Sequence, residues 1–277
     1  MSIITISHEA FGDGRAVAER VAAILGYSCI SREVLVKASQ RYGISEAKLF
    51  EVLEKKPHHW WEQWLESRGV YRIALQAAAC ELAQEGNIVY HGRAGQEFFP
   101  GIRHVLNVFL DTPTESRIQQ VMARKELTEE AAKKYLEELD RIRARRTKEL
   151  FKIDWRDPTR YDIVLSTART TVETAARMIA EVSQCEEYRP TSESLQAVKD
   201  LTITARVEAV LIASSRLDIS SLEIATRCGE VHVSGIILAA SLEQVVADTV
   251  GKIPGVTSVK THFVVTPSEH YLYGDGR

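Results

Sequence analysis

Short apolar runs alternate with amphipathic stretches along the longer, first part of the chain. The apolar runs predict strands at residues 3–7, 27–30, 88–91, 105–110 and 161–165. Between them, apolar residues recur at helical spacing, as in Val17, Val21 and Leu25. Continuous apolar strands separated by amphipathic helices are typical of a parallel sheet that helices cover on both faces. The pattern therefore predicts an α/β domain.

The pattern changes after a polar stretch at residues 186–194, which contains Pro190. Beyond it, residues 195–214 predict a helix, 217–226 and 230–237 a hairpin, 241–253 a second helix, and 256–265 a last strand. A polar, proline-containing stretch between two differently patterned regions is typical of a domain boundary. We therefore predict domains at residues 1–188 and 195–267, the second a small α+β module of order αββαβ.

Composition narrows the class of protein. The chain has 277 residues, of which 45% are hydrophobic and 26% charged, and its formal net charge is -3. So small a charge provides no general attraction to nucleic acid, and no nucleic-acid partner is expected. No early segment resembles a signal peptide, no apolar run is long enough to span a bilayer, and the four cysteines form no CxxC pair. These observations predict a soluble, cytoplasmic protein.

The segment between the first predicted strand and the first predicted helix reads SHEAFGDGRA, from Ser7 to Ala16. Backbone N–H groups hold phosphate in this context of strand, glycine-containing turn and helix N-terminus. The phosphate-loop pattern GxxxxGK[ST] is incomplete, because its first glycine would fall on His8 or Glu9 and no lysine follows Gly14. The segment therefore predicts a phosphate site that lacks the first glycine and the lysine of the usual phosphate loop.

Arg93 lies just beyond the predicted strand at 88–91, between Gly92 and Gly95. Open α/β sheets bind ligands at the carboxyl edge of their strands, and a planar guanidinium suits bidentate binding of phosphate. The alternative is an ordinary turn beside a solvated arginine. The position in the predicted sheet favours the phosphate-binding interpretation.

Four arginines fall close together in a predicted helix, at positions 141, 143, 145 and 146. Arg141 and Arg145 are one turn apart and share a face, and such a group repels itself unless an anion lies between its members. The neighbouring carboxylates at positions 137, 138, 140 and 149 could supply that charge. On composition alone, a solvated charged helix is the favoured interpretation.

Residues 57–64 read PHHWWEQW, a cluster that has two interpretations. Paired histidines could hold a metal, and the tryptophans could stack a base. Tryptophans at helical spacing more often pack against a neighbouring element, and His58 and His59 point to different faces. We favour the structural interpretation, and no residue of the chain is predicted to bind a metal.

Taken together, these elements resemble the cytidylate kinase-like family of nucleoside monophosphate kinases over residues 2–185. The resemblance rests on the order and spacing of several short matches. The matches are Ser7, Gly14 and Arg15, then residues 31–33, 91–94, 107–110, Arg117, Arg124, and residues 140–146, 154–158 and 161–165. The resemblance implies a P-loop kinase-like fold of three α/β/α layers with a parallel sheet.

The resemblance also implies roles for individual residues. The phosphates of ATP, bridged by Mg²⁺, would contact Gly12, Asp13, Gly14, Arg15 and Ala16. The acceptor monophosphate, expected to be CMP, would bind Arg32 and Arg93. Charge in the transition state would be neutralised by Arg15, Arg141, Arg143 and Arg145.

Three positions depart from the family pattern. Phe11 and Asp13 stand where the family has loop glycines, and Ser31 stands where it has an aspartate. Phenylalanine is expected to resist a positive φ and to crowd a backbone that must touch phosphate. Losing one preorganised donor typically costs about 10²–10³ in rate. A nucleotide-binding sensor without catalytic activity is therefore the alternative to an ATP-dependent kinase.

Residues 195–266 resemble the BON domain. The match consists of the helix that begins near Asp200, the strand pair around Gly229 and Gly235, and the turn at Gly255. The resemblance implies a binding or regulatory module whose ligand is a membrane, another hydrophobic ligand or a protein. An exposed sheet face could equally pair two copies of the chain into a homodimer.

Overall fold

A computed structural model describes residues 2–42, 45–47, 49, 69–213 and 222–266. The cluster at residues 57–64 lies outside these ranges. So do residue 214, the last residue of one predicted helix, and residues 217–221, the first part of one predicted strand. The chain divides into two compact units, Met1–Val198 and Lys199–Arg277, which are described separately.

The first unit contains a five-stranded parallel sheet. Its strands are β1 (Ile3–His8), β2 (Ser28–Ile30), β3 (Ile88–Gly92), β4 (Val105–Asp111) and β5 (Ile163–Ser166). The strand order is β2-β3-β1-β4-β5, so β1 lies at the centre and pairs with β3 on one side and β4 on the other. The predicted parallel sheet is confirmed, with each strand at its predicted place.

Helices connect these strands. They are α1 (Gly14–Leu25), α2 (Arg32–Tyr42), α3 (Val70–Gln84), α4 (Thr114–Lys125), α5 (Glu129–Phe151) and α6 (Val172–Val182). Short 3₁₀ turns follow β3 at Gly95–Glu97, precede β5 at Pro158–Arg160, and follow α6 at Glu186–Tyr188.

Alternation along β1 places helices on both faces of the sheet. Ile4 and Ile6 are buried in a core with Val17 and Val21 of α1 and Ile179 of α6. Thr5 and Ser7 point to the opposite face, where the Thr5 hydroxyl donates to Asn107 and the Ser7 hydroxyl to Gln96. Because successive strand side chains point to opposite faces, both layers are built from one short run of sequence. The predicted three-layer arrangement is confirmed.

The second unit is a small α+β module. It contains the greater part of α7 (Ser192–Ala213), then β6 (Leu222–Arg227), β7 (Glu230–Ile237), α8 (Ser241–Gly251) and β8 (Ser258–Val265). β7 is the central strand, antiparallel to β6 and parallel to β8. Its core joins Val207 and Leu211 of α7 to Val231, Val233 and Val246. The predicted order αββαβ is confirmed.

The turn between β6 and β7 is fastened to α7. The Asp200 carboxylate accepts hydrogen bonds from the backbone N–H groups of Cys228 and Gly229, at 2.8 and 3.0 Å. Gly229 has φ 80°, and a Cβ there would lie 2.7 Å from the Gly255 carbonyl oxygen. Only glycine fits this position without strain.

Hydropathy adds one finding about membranes. Among the described residues, no helix combines the length and the apolar character that crossing a bilayer requires.

Candidate functional site

The carboxyl ends of β1, β3 and β4 meet at one edge of the sheet. Ser7 pairs in register with Gly92 of β3 and Phe109 of β4, so the chain leaves all three strands at nearly the same level. The loop 9–13, Arg93 and Thr112 are the first residues beyond these strands. Open α/β sheets bind ligands at this edge, because connecting loops there converge on a crevice.

Glu9 fastens the loop 9–13 to the neighbouring strand. Its buried carboxylate accepts a hydrogen bond from the backbone N–H of Thr112, at 3.2 Å, and its carbonyl accepts one from the N–H of Gly12, at 3.3 Å. A Cβ at Gly12 would lie 2.5 Å from the Thr112 hydroxyl oxygen. Gly12 is therefore needed for close approach to the segment that follows β4.

Phe11 takes the left-handed backbone conformation that the sequence was expected to exclude. Its φ is 60°, and its side chain packs against the cluster that Ile118 and Val121 of α4 form with Leu136 of α5. The Tyr135 ring also meets it edge-on, with 6.0 Å between centroids. The expectation that Phe11 resists a positive φ is therefore wrong, because this packing offsets the strain.

The N-terminus of α1 opens toward the same edge. Asp13 occupies the N-cap position, but its side chain makes no capping hydrogen bond to any described residue. Backbone N–H groups in a first helical turn lack intrahelical partners, and the helix dipole favours an anion beside them. This local arrangement suits a phosphate group.

Gly14 is the first residue of α1 and lies beneath the His8 ring. A Cβ at this position would fall between 2.0 and 2.4 Å from His8 side-chain atoms. Any other residue at position 14 would therefore displace His8. Gly14, which the sequence assigned to phosphate contact, is therefore also needed to leave room for the His8 ring.

Arg15 points along the outer surface of α1. Its guanidinium Nε donates to the Glu19 carboxylate at 2.7 Å, and 76% of its side chain is exposed. The predicted contact of Arg15 with ATP phosphates stays a prediction, and it requires this exposed pair to open.

The arginines of α5 point in different directions. Arg141 pairs with Glu138 and Arg145 with Glu149, each at 2.7 Å on the exposed surface of the helix. Arg143 is half-buried and lies near His8. Of the three predicted arginines, the structure thus brings Arg143 to the carboxyl edge of the sheet.

The other predicted phosphate ligands also differ in their surroundings. Arg93 is half-buried and, like Arg143, lies near enough to His8 to affect its pKa. Arg32 is exposed on α2 and pairs with Glu46 at 2.5 Å. Arg93 therefore belongs to the same group as Arg143, whereas Arg32 lies on a separate surface pair.

A buried ion-pair network next to the loop was missed by sequence reasoning. Arg117 of α4 is 2% exposed, and its guanidinium donates a hydrogen bond to the Ala10 carbonyl at 2.8 Å. It also donates two hydrogen bonds to the Asp140 carboxylate of α5, at 2.9 and 2.6 Å. Arg156 bridges Glu9 and Asp140 at 2.8 and 3.2 Å. Burial raises the pKa of Glu9, and the two arginines act against that change. The network joins the loop, α4 and α5.

Two histidines at the same edge were also missed. The rings of His8 and His91 lie 5.8 Å apart, at the ends of adjacent strands. Burial lowers the pKa of both, that of His91 to about 4. The available signal was position, because His91 closes one predicted strand and His8 directly follows another, but strand order is not visible in a single sequence.

Comparison with known proteins agrees with this architecture. Residues 3–169 match the model of the cytidylate kinase-like family, and residues 199–267 match that of the BON domain. A cytidylate kinase of Methanocaldococcus jannaschii is 32% identical over 95 residues, which are 34% of this chain and 53% of the relative. One from Methanopyrus kandleri is 31% identical over 97 residues, covering 32% and 50%. The chain therefore spans about half the length of the curated relatives it matches.

A solved structure shares the fold of the first unit. It is the crystal structure of an uncharacterized protein from Eubacterium ventriosum ATCC 27560, with a TM-score of 0.50 and 19% identity. The match covers 66% of this chain and 97% of that one. Because the family model matches residues 3–169, which include all five strands and the loop 9–13, the chain belongs to the cytidylate kinase-like family, and it carries a BON domain after the kinase-like unit.

Proposed function

We propose that the first unit binds ATP and transfers its terminal phosphate to a nucleoside monophosphate, with CMP as the expected acceptor. The observation that carries the proposal is the loop between β1 and α1. It keeps its left-handed residue at Phe11 and leads into an α1 N-terminus that no described side chain caps. In such a loop, backbone N–H groups can bind phosphate, and this binding does not require the missing lysine.

The proposed division of labour follows from position at the sheet edge. Backbone N–H groups of residues 12–16 would hold the ATP phosphates, and Arg93 would hold the acceptor monophosphate. Arg143 would approach the transferring group from α5. Phosphoryl transfer depends mostly on positioning and charge stabilisation, so two converging guanidinium groups can carry much of it.

Mg²⁺ would enter with ATP as part of the substrate. Within the described ranges, no three His, Cys, Asp or Glu side chains converge on a metal position. Ala16 also has no hydroxyl where a phosphate loop has Ser or Thr. We therefore assign no protein ligand to the metal and no step to it.

A sensor without catalytic activity is the second candidate, and one observation favours it. Arg15, Arg141 and Arg145 each pair with a carboxylate of their own helix. A kinase would have to open these pairs on binding substrate, whereas a sensor needs only the loop and its immediate neighbours. Both candidates require that ATP binds.

The test is calorimetric titration of the full chain with ATP-Mg²⁺ and then CMP, beside a coupled assay for ADP release. Arg93→Ala is the informative variant, and Arg103→Ala, an exposed arginine before β4, is its matched control. Turnover that Arg93→Ala reduces and Arg103→Ala leaves unchanged supports the kinase. Binding without turnover supports the sensor, and the absence of ATP binding overturns both.

We propose a binding role for the second unit. One end of its sheet exposes apolar side chains, with Ile236 50% and Val264 59% exposed on paired positions of β7 and β8. A lipid surface, another hydrophobic ligand, a protein partner or a second copy of the chain would cover such residues. Co-sedimentation of the full chain with anionic and neutral vesicles, compared with an Ile236→Glu/Val264→Glu variant, separates lipid binding from the others. Sedimentation velocity of the same two proteins tests the homodimer.

A further inference from the structure

The histidine pair at the carboxyl edge takes no part in the kinase chemistry that the sequence predicts. His8 ends β1 and His91 lies at the penultimate position of β3, the strand beside it. Their ring centroids lie 5.8 Å apart with 31° between the planes. Rings at this separation are close enough for hydrogen bonds from both to reach one phosphate group.

His8 is held in a definite orientation. Its Nδ1 lies 3.0 Å from the Glu9 carbonyl oxygen, and its ring covers Gly14 at the start of α1. A carbonyl oxygen only accepts, so Nδ1 carries the proton in this contact and Nε2 is the nitrogen that titrates. That second nitrogen belongs to a ring fixed over the N-terminal turn of α1.

One ring nitrogen of His91 is buried. Its Nδ1 has no hydrogen-bond partner among the described residues. Buried polar atoms nearly always have partners, and an exception next to a candidate site calls for an explanation such as a ligand. An oxyanion is a suitable partner, because a ring nitrogen that gains a proton donates to it.

Burial, more than the charges nearby, keeps the two rings neutral without an anion. Burial lowers the pKa of His8, which faces Arg143 and Arg93, although the Glu9 carbonyl acts against that change. Burial lowers the pKa of His91 to about 4, and His8 and Arg15 lower it further while Glu19 and Glu33 raise it. A phosphate reverses this balance, since a negative charge nearby favours the protonated ring.

We propose that His8 and His91 are phosphate ligands that take up a proton when a nucleoside triphosphate binds, in place of the lysine that the loop lacks. The inference rests on the proposed function for its ligand. His8 and His91 supply the positive charge only in the complex, whereas Arg93 and Arg143 carry theirs throughout. In this step each ring that is protonated forms one N–H bond, and the proton comes from the solvent, so no oxidant, reductant or leaving group is involved.

Binding then depends on pH in a defined direction. The free protein holds neutral rings and the complex holds protonated ones, so lowering the pH favours the complex. Affinity for ATP-Mg²⁺ should rise about tenfold between pH 8 and pH 6 if one ring titrates near pH 7 in the complex. A lysine stays protonated over this range and would give no such change.

The experiment is calorimetric titration of the full chain with ATP-Mg²⁺ at pH 6, 7 and 8. At pH 7 it is repeated in two buffers with different ionisation enthalpies, which gives the number of protons taken up. The variants are His8→Asn, His91→Asn and the double variant, and His262→Asn in β8 of the second unit is the matched control. Circular dichroism establishes that each variant is folded.

The expected result is uptake of about half a proton per bound nucleotide at pH 7 and stronger binding at pH 6, both lost in His91→Asn and the double variant but kept in His262→Asn. His91→Asn carries the test alone if His8→Asn fails to fold. Binding that is tight, independent of pH and without proton uptake overturns the histidine inference and leaves the proposed function standing. Absence of ATP binding at every pH overturns both.

Discussion

Phe11 shows how one residue can keep a backbone conformation that usually requires glycine. A left-handed φ costs a residue with a Cβ about 1 kcal/mol or more. The ring offsets that strain by packing against α4 and α5, beside Ile118 and Leu136. The side chain thus couples the loop to the two helices, which a glycine at this position could not do.

Variants of Phe11 should show the reverse of the usual order of stability, with the glycine variant more stable than the alanine variant. Both variants lose the packing, but Phe11→Gly relieves the strain at φ 60°. We expect Phe11→Gly to be about 1 kcal/mol more stable than Phe11→Ala in urea unfolding. At Lys133, exposed in the second turn of α5, the glycine variant should instead be the less stable by about 1 kcal/mol. The same order at both positions would contradict a left-handed Phe11.

Asp140 should matter more to stability than Glu138, an exposed carboxylate of the same helix. It neutralises Arg117, which is almost completely buried, and its removal would leave that charge poorly compensated. We expect Asp140→Ala to lower the free energy of unfolding by about 3 kcal/mol. Glu138→Ala, which removes the exposed pair with Arg141, should cost less than about 1 kcal/mol. Urea unfolding checks both, and equal losses would show that the network is not buried.

At the scale of elements, α5 divides its arginines by helical geometry. Residues 141 and 145 share a face, and the structure places that face outward, where each arginine meets a carboxylate of the same helix. Arg143 lies off that face and approaches the carboxyl edge of the sheet. Spacing alone predicted which arginines share a face, but packing against α4 through Ala132 and Leu136 decided which face points inward.

The division within α5 predicts unequal effects on nucleotide binding. We expect Arg143→Ala to weaken ATP-Mg²⁺ binding at least tenfold, because it removes a charge at the sheet edge. Arg145→Ala, on the exposed face, should change the affinity less than twofold. Calorimetric titration of both variants makes the comparison. An Arg145→Ala loss as large as that of Arg143→Ala would mean that α5 turns its outer face to the nucleotide on binding.

At the scale of the whole molecule, buried histidines should make the protein less stable in acid. Burial lowers the pKa of His8, His91 and His104 below the value of 6.5 that an unfolded chain shows. The unfolded state therefore takes up protons first as the pH falls through 6.5. Their contribution to stability is complete above that pH and is lost as the pH falls toward the folded pKa, about 4 for His91.

From His91 alone we expect the free energy of unfolding to fall by about 1 kcal/mol between pH 7.5 and pH 5.5. Urea unfolding at the two pH values measures it. In His91→Asn the fall should be smaller by about that amount, and in His262→Asn, the exposed control, it should be unchanged. A fall that is the same in all three proteins would show that His91 is not held neutral in the folded state.

Periodicity and β-branched runs were sufficient to predict the strands, the division into α/β and α+β regions, and the order αββαβ. These features are local, because an apolar residue at every position or at every third to fourth position already constrains which element can bury it. The hairpin that joins β6 to β7 was predicted on the same basis, and the antiparallel pairing of these strands is confirmed. Local sequence patterns were therefore enough to predict most of the secondary structure and its order along the chain.

The sequence by itself determined the elements, the family and the arginine-rich composition of the candidate site. Only the tertiary structure decided that Arg15 pairs with Glu19, that Asp140 reaches Arg117, and that His8 meets His91. The physical reason is that a charged or titratable side chain can pair with any of several residues, some near it in the sequence and some far from it. Which one it takes depends on strand order and helix rotation, and these are set by contacts between residues far apart in the chain.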